Sequence, residues 1–285
     1  MHNKNSRTHR MGIKKINCGS FTIGNDSPLT LIAGPCIIED LSICKEIANE
    51  ANHVCSKYGL NYIFKASFDK ANKTIPNSFR GPGWEKGLEQ LKQIKKEIQI
   101  PILTDVHERD QCDAVAEVAD IIQIPALLSK QIDLILDAAK TGKIINIKKG
   151  QFTAPWEMKN VISRLSQEGY ENIMITERGT MFGYQTLVSD MRSLQIISQF
   201  GYPVFFDGSH SIHGNNSIME NTQLKHRDFI TPLVRSAVAN GIDGLFLEIH
   251  PFPDKAKSDP MGTFPLQELE KLVAQVVKID KALTN

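Results

Sequence analysis

The sequence predicts a single α/β domain, a (β/α)8 TIM barrel preceded by a short N-terminal β-hairpin. Three observations carry that prediction. Eight apolar, β-rich runs alternate with segments of helical period along the 285 residues, the pattern of parallel strands joined by right-handed helical crossovers. No low-complexity stretch or Pro/Gly/Ser-rich linker divides the chain, and α/β barrels run to about 250 residues as one domain. The ends of the eight runs are rich in side chains capable of chemistry, as expected where strand C-termini share one face.

Residues 1–14, "MHNKNSRTHRMGIK", are polar and read as a flexible leader, leaving 15–285 as the catalytic domain. "KINCGSFTIGND" (15–26) reads as the hairpin, turning at Gly19 and Ser20. The strand runs are "LTLIAG" (29–34), "NYIFKAS" (61–67), "PILTDV" (101–106) and "IIQIP" (121–125), followed by "IINIKK" (144–149), "NIMITER" (172–178), "PVFFDG" (203–208) and "GLFLEIH" (244–250). Between them, segments such as "LSICKEIANEANHVCSKYG" (41–59) and "DQCDAVAEVAD" (110–120) repeat apolar residues every three or four positions, the helical spacing. An open doubly wound sheet is the structural alternative, but the turn after its first strand would carry GxGxxG, and this chain has "GPC".

Composition excludes several functions. Basic and acidic side chains nearly balance, 33 against 32, so no global charge points to nucleic acid or an anionic membrane. No run approaches the ~18 apolar residues of a membrane span, and the start lacks the apolar region of a signal peptide, so a cytoplasmic location is expected. The five cysteines form no CxxC pair and suggest neither a disulfide framework nor a zinc ribbon.

The strand ends supply two chemical subsets. Lys65, Lys70, Lys148 and Arg178, with Ser67 and Gln123 nearby in the pattern, would converge as an anion site at one barrel mouth. Cys36, His210, Glu248 and Asp259 offer a thiolate, an imidazole and two carboxylates, a plausible mixed set for a divalent transition metal such as Zn, Fe(II) or Mn. Two other readings of Cys36 stay open at this point: a buried small hydrophobe, or a nucleophile with His210 as its base. Asp105, His107, Asp207 and His250 complete the strand-end inventory.

Six segments in order, "FKASFDKAN" (64–72), "SFRGPG" (78–83), "TDVHE" (104–108), "IQIPA" (122–126), "NIKKGQF" (146–152) and "TERGTMFGY" (176–184), resemble the 3-deoxy-D-manno-octulosonate 8-phosphate synthases. These enzymes condense phosphoenolpyruvate with D-arabinose 5-phosphate in lipopolysaccharide sugar biosynthesis. The cysteine of "AGPC" resembles the metal-dependent group, which implies Cys36, His210, Glu248 and Asp259 as ligands. The resemblance further implies Lys65, Ser67, Lys70, Gln123, Lys148 and Arg178 around phosphoenolpyruvate, with Asn72 and Asp105 addressing the sugar hydroxyls. Lys65, Asn72, Asp105 and His210 are the implied catalytic residues, and a homotetramer is the implied assembly.

Departures from the pattern fall on the sugar side. "KANKT" (70–74) replaces the family's "KANRS" or "KANRT", so Lys73 and Thr74 stand where an arginine and its neighbour would hold the sugar phosphate. Lys130 in "LLSKQID" stands where a neighbouring subunit's arginine would reach the same phosphate, and "HGNNSIMENTQLKHRDF" (213–229) replaces a glycine-rich stretch and brings in Arg227. Lysine keeps the charge of these arginines and loses the bidentate fork. The competing enzyme reading, a 3-deoxy-heptulosonate 7-phosphate synthase, would carry "KPRTS" at "KANKT". A barrel that binds metal or phosphate without turnover is the reading from another class.

Overall fold

The computed structural model describes residues 12–74, 76–182, 186–214 and 224–283. Most of the leader, 1–11, and the central part of the 213–229 loop, 215–223, lie outside the described residues. The chain opens with an antiparallel pair, β1 (Ile16–Cys18) and β2 (Phe21–Ile23). Ahead of it, the Lys14 backbone N–H donates to Gly201 O at 2.9 Å, and its ammonium reaches Glu171 and, at 3.1 Å, Tyr202 Oη.

Eight parallel strands follow: β3 (Thr30–Gly34), β4 (Asn61–Lys65), β5 (Ile102–Asp105), β6 (Ile121–Ile124), β7 (Ile144–Lys148), β8 (Ile173–Glu177), β11 (Val204–Asp207) and β12 (Gly244–His250). Each pairs with its sequence neighbour, and β12 pairs with both β11 and β3, which closes the barrel. Every run read as a strand is a strand, shortened by at most two residues at either end.

Strand alternation builds two cores. Ile32, Ile63, Leu103, Ile121, Ile144, Met174, Phe205 and Phe246, one from each barrel strand, form the inner cluster and pack on Ile16, Cys18 and Ile23 of the β1–β2 hairpin, which plugs one end. The intervening residues, such as Leu31, Ala33, Tyr62 and Phe64, meet the helices outside.

Among the described residues eight α-helices wrap the barrel: α1 (Leu41–Tyr58), α2 (Trp84–Ile98), α3 (Gln111–Ala116), α4 (Ile132–Lys140), α5 (Met158–Gln167), α6 (Arg192–Ser198), α7 (Ile230–Ala239) and α8 (Leu269–Ala282). In α1 the buried Cys44, Ile47, Ala48, Ala51, Val54 and Cys55 make one stripe. Asp40 caps its start by accepting the Ser42 N–H at 2.7 Å, and Gly59 ends it at φ 74°, a conformation that favours glycine. No helix among the described residues is long and apolar enough to cross a membrane.

Two small features add to the expected plan. β9 (Thr180–Phe182) and β10 (Thr186–Val188) pair as a hairpin after β8, and β13 (Phe264–Pro265) extends β12. Their runs of three and two residues are too short to show a period in sequence.

Candidate active site

The C-terminal ends of the barrel strands surround a cavity of about 800 Å³ lined by Cys36, Lys65, Lys70, Asp105, Gln123, Lys148, Arg178, His210, Glu248 and Asp259. Close backbone packing makes this convergence possible. A Cβ on Gly34, at the end of β3, would lie 1.8 Å from the Lys65 carbonyl oxygen, so only glycine lets β3 and β4 approach there.

One wall is a carboxylate and imidazole cluster. Ligand atoms of His210, Glu248 and Asp259 lie within 4.8 Å of one another. His210 follows β11, where Asp207 Oδ2 lies 2.8 Å from its Nδ1 and Asp207 Oδ1 accepts its backbone N–H at 2.9 Å. That leaves Nε2 turned toward Glu248 Oε1, 3.6 Å away. Burial lowers the His210 pKa, Asp207 works in the opposite direction, and the net result favours the neutral ring that can serve as a ligand.

Glu248 is fully buried on β12. Burial resists its ionisation, but the Lys65 and Lys70 ammonium groups help hold the carboxyl well below its usual range. Its Oε1 accepts from Lys65 Nζ at 3.2 Å, whereas Oε2 has no hydrogen-bond partner among the described residues. A buried carboxylate oxygen with no donor is costly unless something else satisfies it. Together with a nitrogen and further carboxylate oxygens, it makes a donor set that fits a divalent transition metal.

Asp259 adopts φ 45°, unusual for a residue with a side chain, and its Oδ2 lies 2.9 Å from His213 Nε2. Cys36 lines the same cavity but is not part of the three-residue cluster. Its thiol donates to Ser258 Oγ at 3.1 Å, and burial, followed by the Glu248 charge, pushes its pKa up to about 12. Burial thus favours the neutral thiol, the less reactive form of the side chain.

A set of cations adjoins this cluster. Lys65 donates to the Cys36 carbonyl at 3.0 Å as well as to Glu248. Lys148, ending β7, donates to Asp207 Oδ2 at 2.6 Å and sits 3.5 Å from the centroid of the Phe246 ring. Burial lowers its pKa while Asp207 counteracts the loss. Arg178 follows β8 and reaches the His210 carbonyl at 3.4 Å. Behind them, Ser67 donates to Asp105 and accepts from Lys70 at 2.9 Å, and His107 Nε2 lies 3.1 Å from the other Asp105 oxygen. Burial opposes the Asp105 charge, yet His107 and Lys70 keep it ionised. Thr176 donates to Asn146 at 2.7 Å and Asn146 to Gln123 at 3.2 Å, so Gln123 presents its amide in a fixed direction.

Asn72 and Lys73 line the cavity rim on the loop after β4, while Thr74 beside them is exposed and outside the lining. Two expected sugar-side cations lie elsewhere. Lys130 is half exposed and donates to Glu157 at 2.9 Å, and Arg227 donates to Asp254 Oδ1 at 2.9 Å and to the Pro260 carbonyl. Neither lines this cavity. Asp207, His107 and His250 stand at strand ends as read from sequence, but their partners become visible only in the fold. His213, the partner of Asp259, could not be singled out from a loop by spacing alone.

The chain is similar to known proteins along nearly its whole length. The profile of the DAHP synthetase I family matches residues 7–285. A 2-dehydro-3-deoxyphosphooctonate aldolase of Fusobacterium nucleatum is 45% identical over 269 residues, covering 94% of this chain and 96% of that protein. The protein of the same name from Cyanothece sp. is 48% identical over 263 residues, 92% and 96% of the two chains, and that from Desulfotalea psychrophila is 45% identical over 275 residues, 96% and 97%. With a closed (β/α)8 barrel and this similarity along nearly its whole length, the chain belongs to the DAHP synthetase I family and, within it, to the 2-dehydro-3-deoxyphosphooctonate aldolases.

Proposed function

We propose that this cavity condenses phosphoenolpyruvate with D-arabinose 5-phosphate and water, giving 3-deoxy-D-manno-octulosonate 8-phosphate and inorganic phosphate. The observation that carries the proposal is the placement of Lys65, Lys70, Lys148 and Arg178 beside His210, Glu248 and Asp259 in one cavity. A polyanionic enol phosphate needs several fixed cations to leave water, and the same cations stabilise phosphate as it departs. The heptulosonate alternative is not favoured, because the relatives at 45% and 48% identity carry the octonate name.

In this reading Lys148 and Arg178 hold the phosphate and carboxylate of phosphoenolpyruvate, with Ser67, Lys70 and Gln123 completing the grip. Lys65, fixed between Glu248 and the Cys36 carbonyl, adjoins the reacting carbons in this reading. Asp105, Asn72 and Lys73 address the sugar, with Thr74 beside them. C3 of the enol phosphate bonds to the aldehyde carbon, whose oxygen takes up a proton. Water adds its oxygen to C2 and gives up a proton, and the resulting hemiketal phosphate expels inorganic phosphate. His210, Glu248 and Asp259, with Cys36 adjoining, would hold Zn, Fe(II) or Mn, which when bound supplies Lewis-acid polarisation or orients water.

The assembly belongs to the same proposal: a cytoplasmic homotetramer in which Lys130 of one subunit serves a neighbour's site. The test is phosphate release from phosphoenolpyruvate with a panel of aldose phosphates, before and after chelation. Arabinose 5-phosphate should be preferred over erythrose 4-phosphate by about ten-fold or more. Chelation should abolish activity, and added divalent metal should restore it. Preference for the four-carbon sugar, or full activity in metal-free protein, would overturn the corresponding part.

A further inference from the structure

Directly behind the Lys148 and Arg178 grip lies a second, separate charge pair. Lys149 and Glu177 are the chain neighbours of those two residues, and strand alternation turns them to the other side of the barrel wall. Lys149 is fully buried and Glu177 nearly so, with Nζ and Oε1 3.5 Å apart. The Lys149 ammonium also reaches the carbonyls of Gly150 at 3.1 Å and Thr153 at 3.0 Å, the carbonyl of Gly179 at 3.2 Å and Thr180 Oγ1 at 3.2 Å. Glu177 Oε1 accepts the Gly179 N–H at 2.7 Å.

These contacts tie together two loops. Gly150 and Thr153 belong to the loop after Lys148, and Gly179 and Thr180 to the segment that leaves Arg178 and opens the β9–β10 hairpin. A backbone bond from Met181 N to Gln151 O, 2.7 Å, continues the same seam, and both residues line the cavity. Burying a lysine and a carboxylate costs desolvation that a purely stabilising apolar pair would avoid. Consistent with that cost, burial lowers the Lys149 pKa and raises that of Glu177, and the two charges counteract it.

We infer that Lys149 and Glu177 are positioning residues for the anion grip: they fix the separation of Lys148 and Arg178 by clamping the loops that leave both strands. The inference rests on Lys148 and Arg178 binding phosphoenolpyruvate, as proposed above. Neither member of the pair touches substrate.

The experiment compares Lys149→Met, Glu177→Gln, the double variant and Arg178→Ala in the intact enzyme, measuring melting temperature, kcat and KM for each substrate. Lys149→Met should raise the KM for phosphoenolpyruvate about ten-fold, the effect of displacing a charge-assisted contact, with KM for the sugar phosphate little changed. The double variant removes the uncompensated buried carboxylate, so its melting temperature should recover toward that of the parent while the phosphoenolpyruvate KM stays high. Recovery of both together would reduce the pair to a structural role and overturn the inference. Should Lys149→Met fail to fold, Glu177→Gln keeps the shape and the Gly179 acceptor and should still raise that KM by about three-fold or more; an unchanged value would overturn the inference. If Arg178→Ala leaves KM unchanged, it is the grip itself that fails; if Arg178→Ala raises it and Lys149→Met does not, only the positioning role falls.

Discussion

Asp207 Oδ2 lies between two rivals, 2.6 Å from Lys148 Nζ and 2.8 Å from His210 Nδ1. One fully buried carboxylate therefore couples the anion wall to the ligand cluster. It steadies the Lys148 ammonium and orients the His210 ring so that Nε2 faces Glu248. Partners behind a metal-ligating histidine typically change metal affinity by about 10- to 100-fold when removed. Asp207→Asn should weaken Zn affinity by a factor in that range, measured by competition with a chromogenic chelator, and should also raise the KM for phosphoenolpyruvate. An effect on only one of the two would mean that Asp207 does not join the walls.

Arg227 gives a second prediction. Its guanidinium clamps Asp254 and the Pro260 carbonyl, and Pro260 follows Asp259, whose φ of 45° needs support from its surroundings. Arg227→Ala should release that turn and reduce metal affinity several-fold, with the KM for arabinose 5-phosphate nearly unchanged. A large rise in the sugar KM with intact metal affinity would instead return Arg227 to the sugar phosphate, the role its charge suggested in sequence.

The contrast between these residues shows what the sequence could disclose. The barrel strands were legible because parallel strands buried on both faces leave unbroken β-branched and aromatic runs such as "GLFLEIH", and α1 was legible because its stripe and caps are local. Lys65, Lys148, Arg178, His210 and Glu248 were legible as strand ends, since barrel topology sends all such ends to one face. Partnership was not. Asp207 pairs with Lys148 across 59 positions and Arg227 reaches Pro260 across 33, and sequence gives the charge of a residue without saying which opposite group it will meet. Lys149 and Glu177 carry no such signal, because they point away from the face where the strand ends gather.

The N-terminal segment supplies a pH prediction. Hydrogen bonds from Lys14, Ser166 and Tyr202 lower the Glu171 pKa from 4.5 to about 2. A depressed carboxyl pKa stabilises the fold above the unfolded value, and that contribution is lost as pH falls through the folded one. Glu171 is 44% exposed in its side chain, so screening keeps the effect to about 1 kcal/mol or less. Glu171→Gln should therefore melt about 2 °C lower than the parent near neutral pH. The gap should close as pH drops from 4.5 to about 2. A gap that persists below that range would show that the charge is not what matters.

Lys73 and Lys130 bear on the sugar. Lys73 lines the cavity, whereas Lys130 is paired with Glu157 at 2.9 Å outside it, and in the proposed assembly Lys130 serves a neighbour's site. Point charges grip phosphate with less direction than the guanidinium fork. Lys73→Arg should consequently tighten the apparent affinity for arabinose 5-phosphate by about three- to ten-fold without altering that for phosphoenolpyruvate, the gain expected for a second charge-assisted bond. Lys130→Arg should add to it only in assembled enzyme, and subunits defective at Lys130 should complement subunits defective at Arg178 when mixed. The parent enzyme should discriminate less sharply among four- and five-carbon aldose phosphates than the double variant does. An aldose turned over about ten times more efficiently than arabinose 5-phosphate would overturn this, because the two lysines would then mark a different substrate and not a looser hold on the same phosphate.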